Sequence, residues 1–180
     1  MKKFVISFLV LFAWTTMVHA DEYDTMRQRL VDYLALGTYF DKTDKDVSTY
    51  QTAVDQQAKK IWDSMEKDPF TMGYLWSSYN KLRASNSYTP ETHISSTYNN
   101  IRYMARAWAS PASLYYHNHD LLTDIKFALN FMNAYAYNAG TSRSGSWYTW
   151  TIGIPEYYGK IITLTYDSLA EIQLTNYESS

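Results

Sequence analysis

Apolar residues return every three or four positions along almost the whole chain, and that period leaves room for little besides helices packed on helices. It is clearest where Leu121, Leu122, Ile125, Leu129, Met132 and Ala136 share one face, as the 3.6-residue repeat of an amphipathic helix requires. Asn118 or Asp120 suits its N-cap, since a short side-chain oxygen accepts from the unpaired N–H groups of a first turn. Thr92 to Trp108 repeats the pattern through Ile94, Tyr98, Ile101, Met104, Ala105 and Trp108. Asp46 to Lys67 does so through Tyr50, Val54, Ala58, Ile61, Trp62 and Met65, and Asp68-Pro69 ends it, because proline drives the residue before it out of the helical region. Met26, Leu30, Tyr33 and Leu34 predict a helix between Asp24 as N-cap and Gly37 as stop. A last one is expected from Pro155 to about Leu174 along Tyr158, Ile161, Ile162, Thr165, Leu169 and Ile172. Proline at its first position lacks only an N–H that would be unpaired anyway. No run alternates with period two, and no hairpin turn is present. The class is all-α, with about five long helices plus short ones, joined by polar connections such as "RASNSYTPET".

The first residues read differently. Lys2 and Lys3, the apolar run Phe4 to Trp14, and "VHA" before Asp21 have the three parts of a secretory signal peptide cleaved after Ala20. The apolar run is too short to span a bilayer, so no membrane attachment is expected after cleavage. The product is expected in the periplasm or outside a bacterial cell, with residues 21–180 as one domain. Losing Lys2 and Lys3 takes the formal charge from −2 to −4, which argues against nucleic acid or an anionic membrane as a generic partner. The chain has no cysteine, which excludes disulfides and thiolate chemistry. No glycine-rich phosphate loop or other cofactor motif is present, and no cofactor is expected.

Candidate chemistry is sparse. His93 stands alone near a helix start, and His117 and His119 are two apart, a spacing that points side chains away from each other on a helix. Asp41, Asp44 and Asp46 alternate like calcium-loop oxygens, but Lys42 and Lys45 interrupt them, and the loop glycine and terminal glutamate are missing. No metal site and no catalytic residue is nominated. What stands out is "GSWYTWTIGIP", Gly145 to Pro155, in a chain whose residues are 17% aromatic with 18 tyrosines. Trp147, Tyr148 and Trp150 follow a Ser/Gly turn and precede the helix-opening Pro155. That places them on a surface connection, where neighbouring aromatic faces suit a flat ligand such as a sugar ring, while their polar tips bond hydroxyls. Packing under a loop is the alternative use of the same residues.

"SWYTWTIGIP" resembles the N-W-W-D-x-E-I-G-x-P signature of polysaccharide lyase family 8, the hyaluronate, chondroitin AC and xanthan lyases. "YLWSSY" and "TYNNIRYMARAWASPASLYYHNHDLLTDIKFALNFM" are similar in order and spacing to the helices before that signature. The resemblance covers roughly Tyr23 to Leu174. It implies an incomplete α/α toroid of helical hairpins, and an acidic, uronate-containing polysaccharide as partner. By position, Trp147 and Tyr148 replace the paired tryptophans of the substrate-positioning patch, and Ser146 replaces the substrate-contacting asparagine. Trp150 completes the proposed substrate-binding set. Thr149 and Thr151 stand where the signature has acids.

The family's helical domain is longer and leads into a β-sandwich region. Its catalytic Asn, His, Tyr and Arg lie further along than this match extends. The resemblance therefore implies a truncated N-terminal portion that keeps the sugar-binding surface and lacks the catalytic groups. Half a toroid exposes apolar helix faces, so self-association, marginal stability or a complementing lyase chain is expected. A non-catalytic helical interaction protein is the other class the sequence allows. Intact-mass measurement of the exported protein is expected to give a chain beginning at Asp21; a mass that retains the first twenty residues would overturn the cleavage assignment.

Overall fold

The computed structural model describes residues 22–37, 40–83 and 90–178. The signal peptide expected at residues 1–20, and most of the polar connection before Pro90, lie outside the described residues. Among those described there are helices and turns and no strand. In chain order the helices are α1 (Glu22–Ala35), α2 (Lys45–Asp63), α3 (Pro69–Met72), α4 (Glu91–Ala109), α5 (His119–Tyr135), α6 (Ile154–Thr165) and α7 (Glu171–Glu178). Five of them are long, as the periodicity implies, and among the described residues none is long and apolar enough to cross a membrane.

Helix α4 is the centre of the packing. It lies against α6, α2, α5 and α1, and Ile94, Ile101, Met104, Ala105 and Ala107 along it are wholly buried. A helix contacted from so many sides needs apolar or small residues on most of its surface, and the run from Ile94 to Ala109 provides them. Tyr98, also buried, meets Tyr137 and Tyr158 edge-on at 5.8 and 5.3 Å. Two tryptophans satisfy their polar ends: Trp76 Nε1 donates to the Ile61 carbonyl at 3.0 Å, and Trp62 Nε1 to Asp124 on α5.

Helix ends follow capping chemistry. Asp44 caps α2, its Oδ1 accepting from the N–H groups of Asp46 at 2.8 Å and Val47 at 3.2 Å. Asn118 rather than Asp120 caps α5, accepting from the Leu121 N–H at 2.9 Å. Asp41 accepts from the hydroxyl and N–H of Thr43, and those bonds hold its carboxyl below the usual range. Asp41 and Asp44 thus have turn and cap roles.

Three expectations need correction. Helix α1 starts at Glu22, so Asp24 sits in its first turn rather than capping it, and the chain leaves through Leu36 at φ 52, one residue before Gly37. Of the predicted apolar stripe of α1, Met26, Leu30 and Tyr33 face outward, 65, 42 and 80% exposed, while Leu34 packs on the core. Val31 and Ala35 pack there beside it, and Arg27 on that side is tied to Asp167 at 2.9 Å. Finally, the single helix expected from Pro155 to Leu174 is interrupted after Thr165 by a 3₁₀ turn, Tyr166–Ser168. Thr165 Oγ1 bonds back to the Ile161 carbonyl at 2.9 Å, a contact that competes with helix propagation, and Leu169 turns extended to bury itself.

The α4–α5 connection is held from below by α2. Buried Asp55 accepts from Gln51 Nε2 at 2.8 Å, Ser113 Oγ at 2.6 Å and the Leu114 N–H at 2.9 Å, while Ser110 Oγ donates to Gln51 at 2.8 Å. Replacing Asp55 by Ala strands three donors, and we expect a loss of about 3 kcal/mol, read as a lower urea midpoint. An unchanged midpoint would show that the loop is held by other contacts.

Candidate functional site

The stretch Gly145 to Pro155 begins a helix; it does not precede one. Gly145 has φ +87, a left-handed geometry that glycine adopts without steric penalty. A Cβ there would collide with the Glu91 carboxylate, which comes up from the first turn of α4. Glu91 Oε1 accepts the Ser146 N–H at 3.1 Å. Ser146 Oγ in turn accepts the Thr149 N–H at 3.3 Å, and its carbonyl accepts the Trp150 N–H at 3.3 Å. Ser146 is therefore the N-cap, nine residues before the proline that the sequence suggests as the start.

Pro155 is accommodated by a wide turn. Residues Thr149–Gly153 form a π segment, in which the Ile154 N–H reaches back five residues to the Thr149 carbonyl. Proline inside a regular helix has no N–H to donate and presses its ring on the carbonyl four residues back. An extra residue in the turn relieves both. A proline therefore marks the middle of this helix rather than its beginning.

The extra residue also sorts the aromatics. Trp147 and Tyr148 are 70 and 54% exposed, with rings edge-to-face at 6.1 Å and 80°. Trp150 is 3% exposed, against the expectation that it shares their surface. Its Nε1 donates to the Ser144 carbonyl at 2.6 Å, and its ring lies parallel to Tyr137, 6.2 Å away. It continues inward as Trp150, Ile154, Tyr158 and Ile161, the packing stripe of α6. Trp150 anchors the segment, and a ring so buried has no face left for a ligand. Ser146 is exposed beside the open pair, with its hydroxyl oxygen engaged in the cap.

The other polar candidates have structural partners. His93 Nδ1 accepts the Lys81 N–H at 3.1 Å, and His117, at φ 52, stacks between Trp108 and Tyr116. Among the described residues no three His, Asp or Glu side chains gather as a metal site. Glu91, which fixes the start of the segment, has only a faint signal in the sequence, an acid directly after Pro90 at a helix start.

Helices packed on helices, with no strand among the described residues, match the fold of the α/α toroid lyases. Residues 31–180 match the N-terminal alpha-helical domain of polysaccharide lyase family 8, and the chain belongs to that family. It is similar to the xanthan lyase of a Bacillus species, 28% identical over 179 residues, 96% of this chain and 18% of that protein. It is also similar to the hyaluronate lyase HylB of Enterococcus faecalis, 26% identical over 157 residues, 87% of this chain and 13% of that one. Among solved structures, Paenibacillus xanthan lyase superposes with a TM-score of 0.80 at 32% identity, covering 89% of this chain and 15% of the other. Streptomyces coelicolor chondroitin AC lyase in complex with chondroitin sulphate superposes at 0.75 and 24% identity, covering 87 and 20%, which shows the common fold. The chain thus spans less than a fifth of the curated relatives' length.

Gly145→Ala should destabilise the protein by about 2 kcal/mol through strain at a positive φ. Ser146→Ala, which removes only the cap oxygen, should cost about 1 kcal/mol. Thermal melts of both variants check the order; equal values would mean that the contact between Gly145 and Glu91 is not tight in solution.

Proposed function

We propose that this chain forms the substrate-positioning part of the helical domain of an exported lyase acting on uronic-acid-containing polysaccharides. In β-elimination a base takes the C5 proton of the uronate and the bond from C4 to the glycosidic oxygen breaks. A double bond forms between C4 and C5, and the departing oxygen is protonated. Nothing in the described aromatic site carries out those proton transfers, and in this reading they belong to groups outside the matched segment. What the site contributes is a place for the sugar ring to lie.

The observation that carries the reading is the contrast between Trp150, fully used by the core, and Trp147 beside Tyr148, whose faces are open. Large rings left in water expose apolar area that a sugar's C–H face would cover. Membership of the family and similarity to xanthan and hyaluronate lyases supply the polymer class. Ser146 sits at the edge of the pair, where its hydroxyl hydrogen remains available to a sugar oxygen. A second reading, that the chain works with further helices supplied by another polypeptide or another copy, is favoured by the exposed stripe of Tyr23, Met26, Leu30 and Tyr33 on α1. A monomer in sedimentation, with one steep melting transition, argues against that second reading.

Titration with hyaluronan and chondroitin oligosaccharides should quench or shift tryptophan fluorescence. Trp147→Ala should weaken binding about tenfold, equivalent to roughly 1.4 kcal/mol, and Tyr148→Phe should retain most of it because the stacking face survives. The chain alone should produce no rise in ultraviolet absorbance from unsaturated uronate. Binding unaffected by Trp147→Ala would remove the aromatic pair from the proposal, and turnover by this chain alone would overturn its non-catalytic role.

A further inference from the structure

Far down α4 from the aromatic pair, the guanidinium of Arg106 is half-buried and lies over the Tyr50 ring, 5.0 Å from its centre. Among the described residues it makes no salt bridge and donates to no acceptor. Burial lowers its pKa, with no acid to offset the effect. A guanidinium carries five N–H donors in a planar fork, and those of Arg106 are not sealed in the interior, so the fork is open to a ligand. One turn earlier, Arg102 donates from Nε and Nη2 to Asn99 Oδ1 at 3.1 and 2.8 Å, and lies over Tyr103 and Tyr157. It too forms no salt bridge among the described residues. Across from them, Lys160 of α6 is paired with Glu156.

These three cations, with Tyr33, Leu34 and Leu164, line a cleft of about 310 Å³ between α1, α4 and α6. Elsewhere the paired cations sit against their own acids, as Arg27 does with Asp24 and Asp167, Lys59 with Asp63 and Lys67 with Asp124. Glu156, which pairs with Lys160, also faces Arg102, so three cations meet one acid here and positive charge is in excess at this cleft. Tyr33, 80% exposed at its rim, adds an open ring.

We propose that the cleft between α1, α4 and α6 is a second binding site for an acidic sugar chain, with the Arg106 fork taking a carboxylate or sulfate oxygen pair. The identity of the ligand rests on the polysaccharide reading above. The site itself rests on a cation without an acceptor. Arg106 is fifteen residues along α4 from Glu91, which abuts Ser146, so roughly 20 Å separates the two sites at 1.5 Å per residue. A long polymer spanning both is held by a raised effective concentration at the second contact, whereas a short oligosaccharide occupies one site at a time. The cleft therefore gives the domain a preference for long chains.

The test uses the nitrogen-15-labelled full chain at low salt, with the Arg106 Nε–H resonance assigned by its loss in Arg106→Gln. Hyaluronan tetrasaccharide, polymeric hyaluronan and chondroitin sulfate are titrated in turn, with inorganic sulfate as the free-anion arm. The resonance should move in wild type and in Trp147→Ala, and Arg106→Gln should weaken binding of the polymer about tenfold, the loss of one charge-assisted fork. Its tetrasaccharide response at Trp147 should stay unchanged, and Arg106→Lys, which keeps charge without the fork, should recover part of the loss. Movement with chondroitin sulfate and inorganic sulfate but not with hyaluronan would assign the fork to sulfate. A resonance unmoved by either polymer, while Trp147 responds, overturns the cleft and leaves the aromatic site standing. Movement at Arg106 without response at Trp147 does the reverse. Equal polymer affinity in Arg106→Gln and wild type also overturns the cleft.

Discussion

A helix buried on most of its faces has to be enclosed by others, and α4 sets that requirement for the whole described structure. Its buried residues, from Ile94 to Ala109, face four other helices that together keep them dry. Cross-links cannot stand in for packing in a chain without cysteine. Tyrosines contribute much of that packing: Tyr98, Tyr137 and Tyr158 interlock by their edges in the interior, where large ring area is buried. The same helix positions the aromatic site, because Glu91 in its first turn fixes the backbone of Ser146.

The period of the apolar residues made α2, α4 and α5 legible to within a few residues, because in each the apolar stripe and the buried stripe coincide. It misled at α1, where two overlapping stripes exist. Met26, Leu30 and Tyr33 form the more conspicuous one, yet the side carrying Val31, Leu34 and Ala35, anchored through Arg27 to Asp167, is the side that packs. That choice depends on a residue 140 positions away, which no local pattern contains. At the other end, Thr165 and Leu169 fit a helical stripe well and still sit on either side of a break.

The aromatic segment shows a different limit. Its composition marks it out in the sequence, but Pro155 carries the local signal of a helix start. The π turn that lets Pro155 sit inside the helix has no local signature distinct from an ordinary turn before a helix. Once it is in place, Trp150 faces the core and Trp147 with Tyr148 face water. The single sequence feature contained both the packing reading and the surface reading, and the structure divides its rings between them. Arg106 was hidden for a related reason: an arginine on a helix looks solvated until tertiary contacts show that no acid came with it.

The wide turn has a consequence for how such a surface can change over time. One residue added to a helix rotates everything before it by about 100° relative to everything after. The outward aim of Trp147 and Tyr148 is therefore set by a count, the number of residues between the Ser146 cap and Ile154, more than by which residues those are. The two exposed side chains, Trp147 and Tyr148, are free to be exchanged as the ligand changes, while Trp150 keeps the anchor. A one-residue deletion would leave the composition almost untouched and turn the pair toward a different direction. Length, in this short stretch, is the feature under constraint.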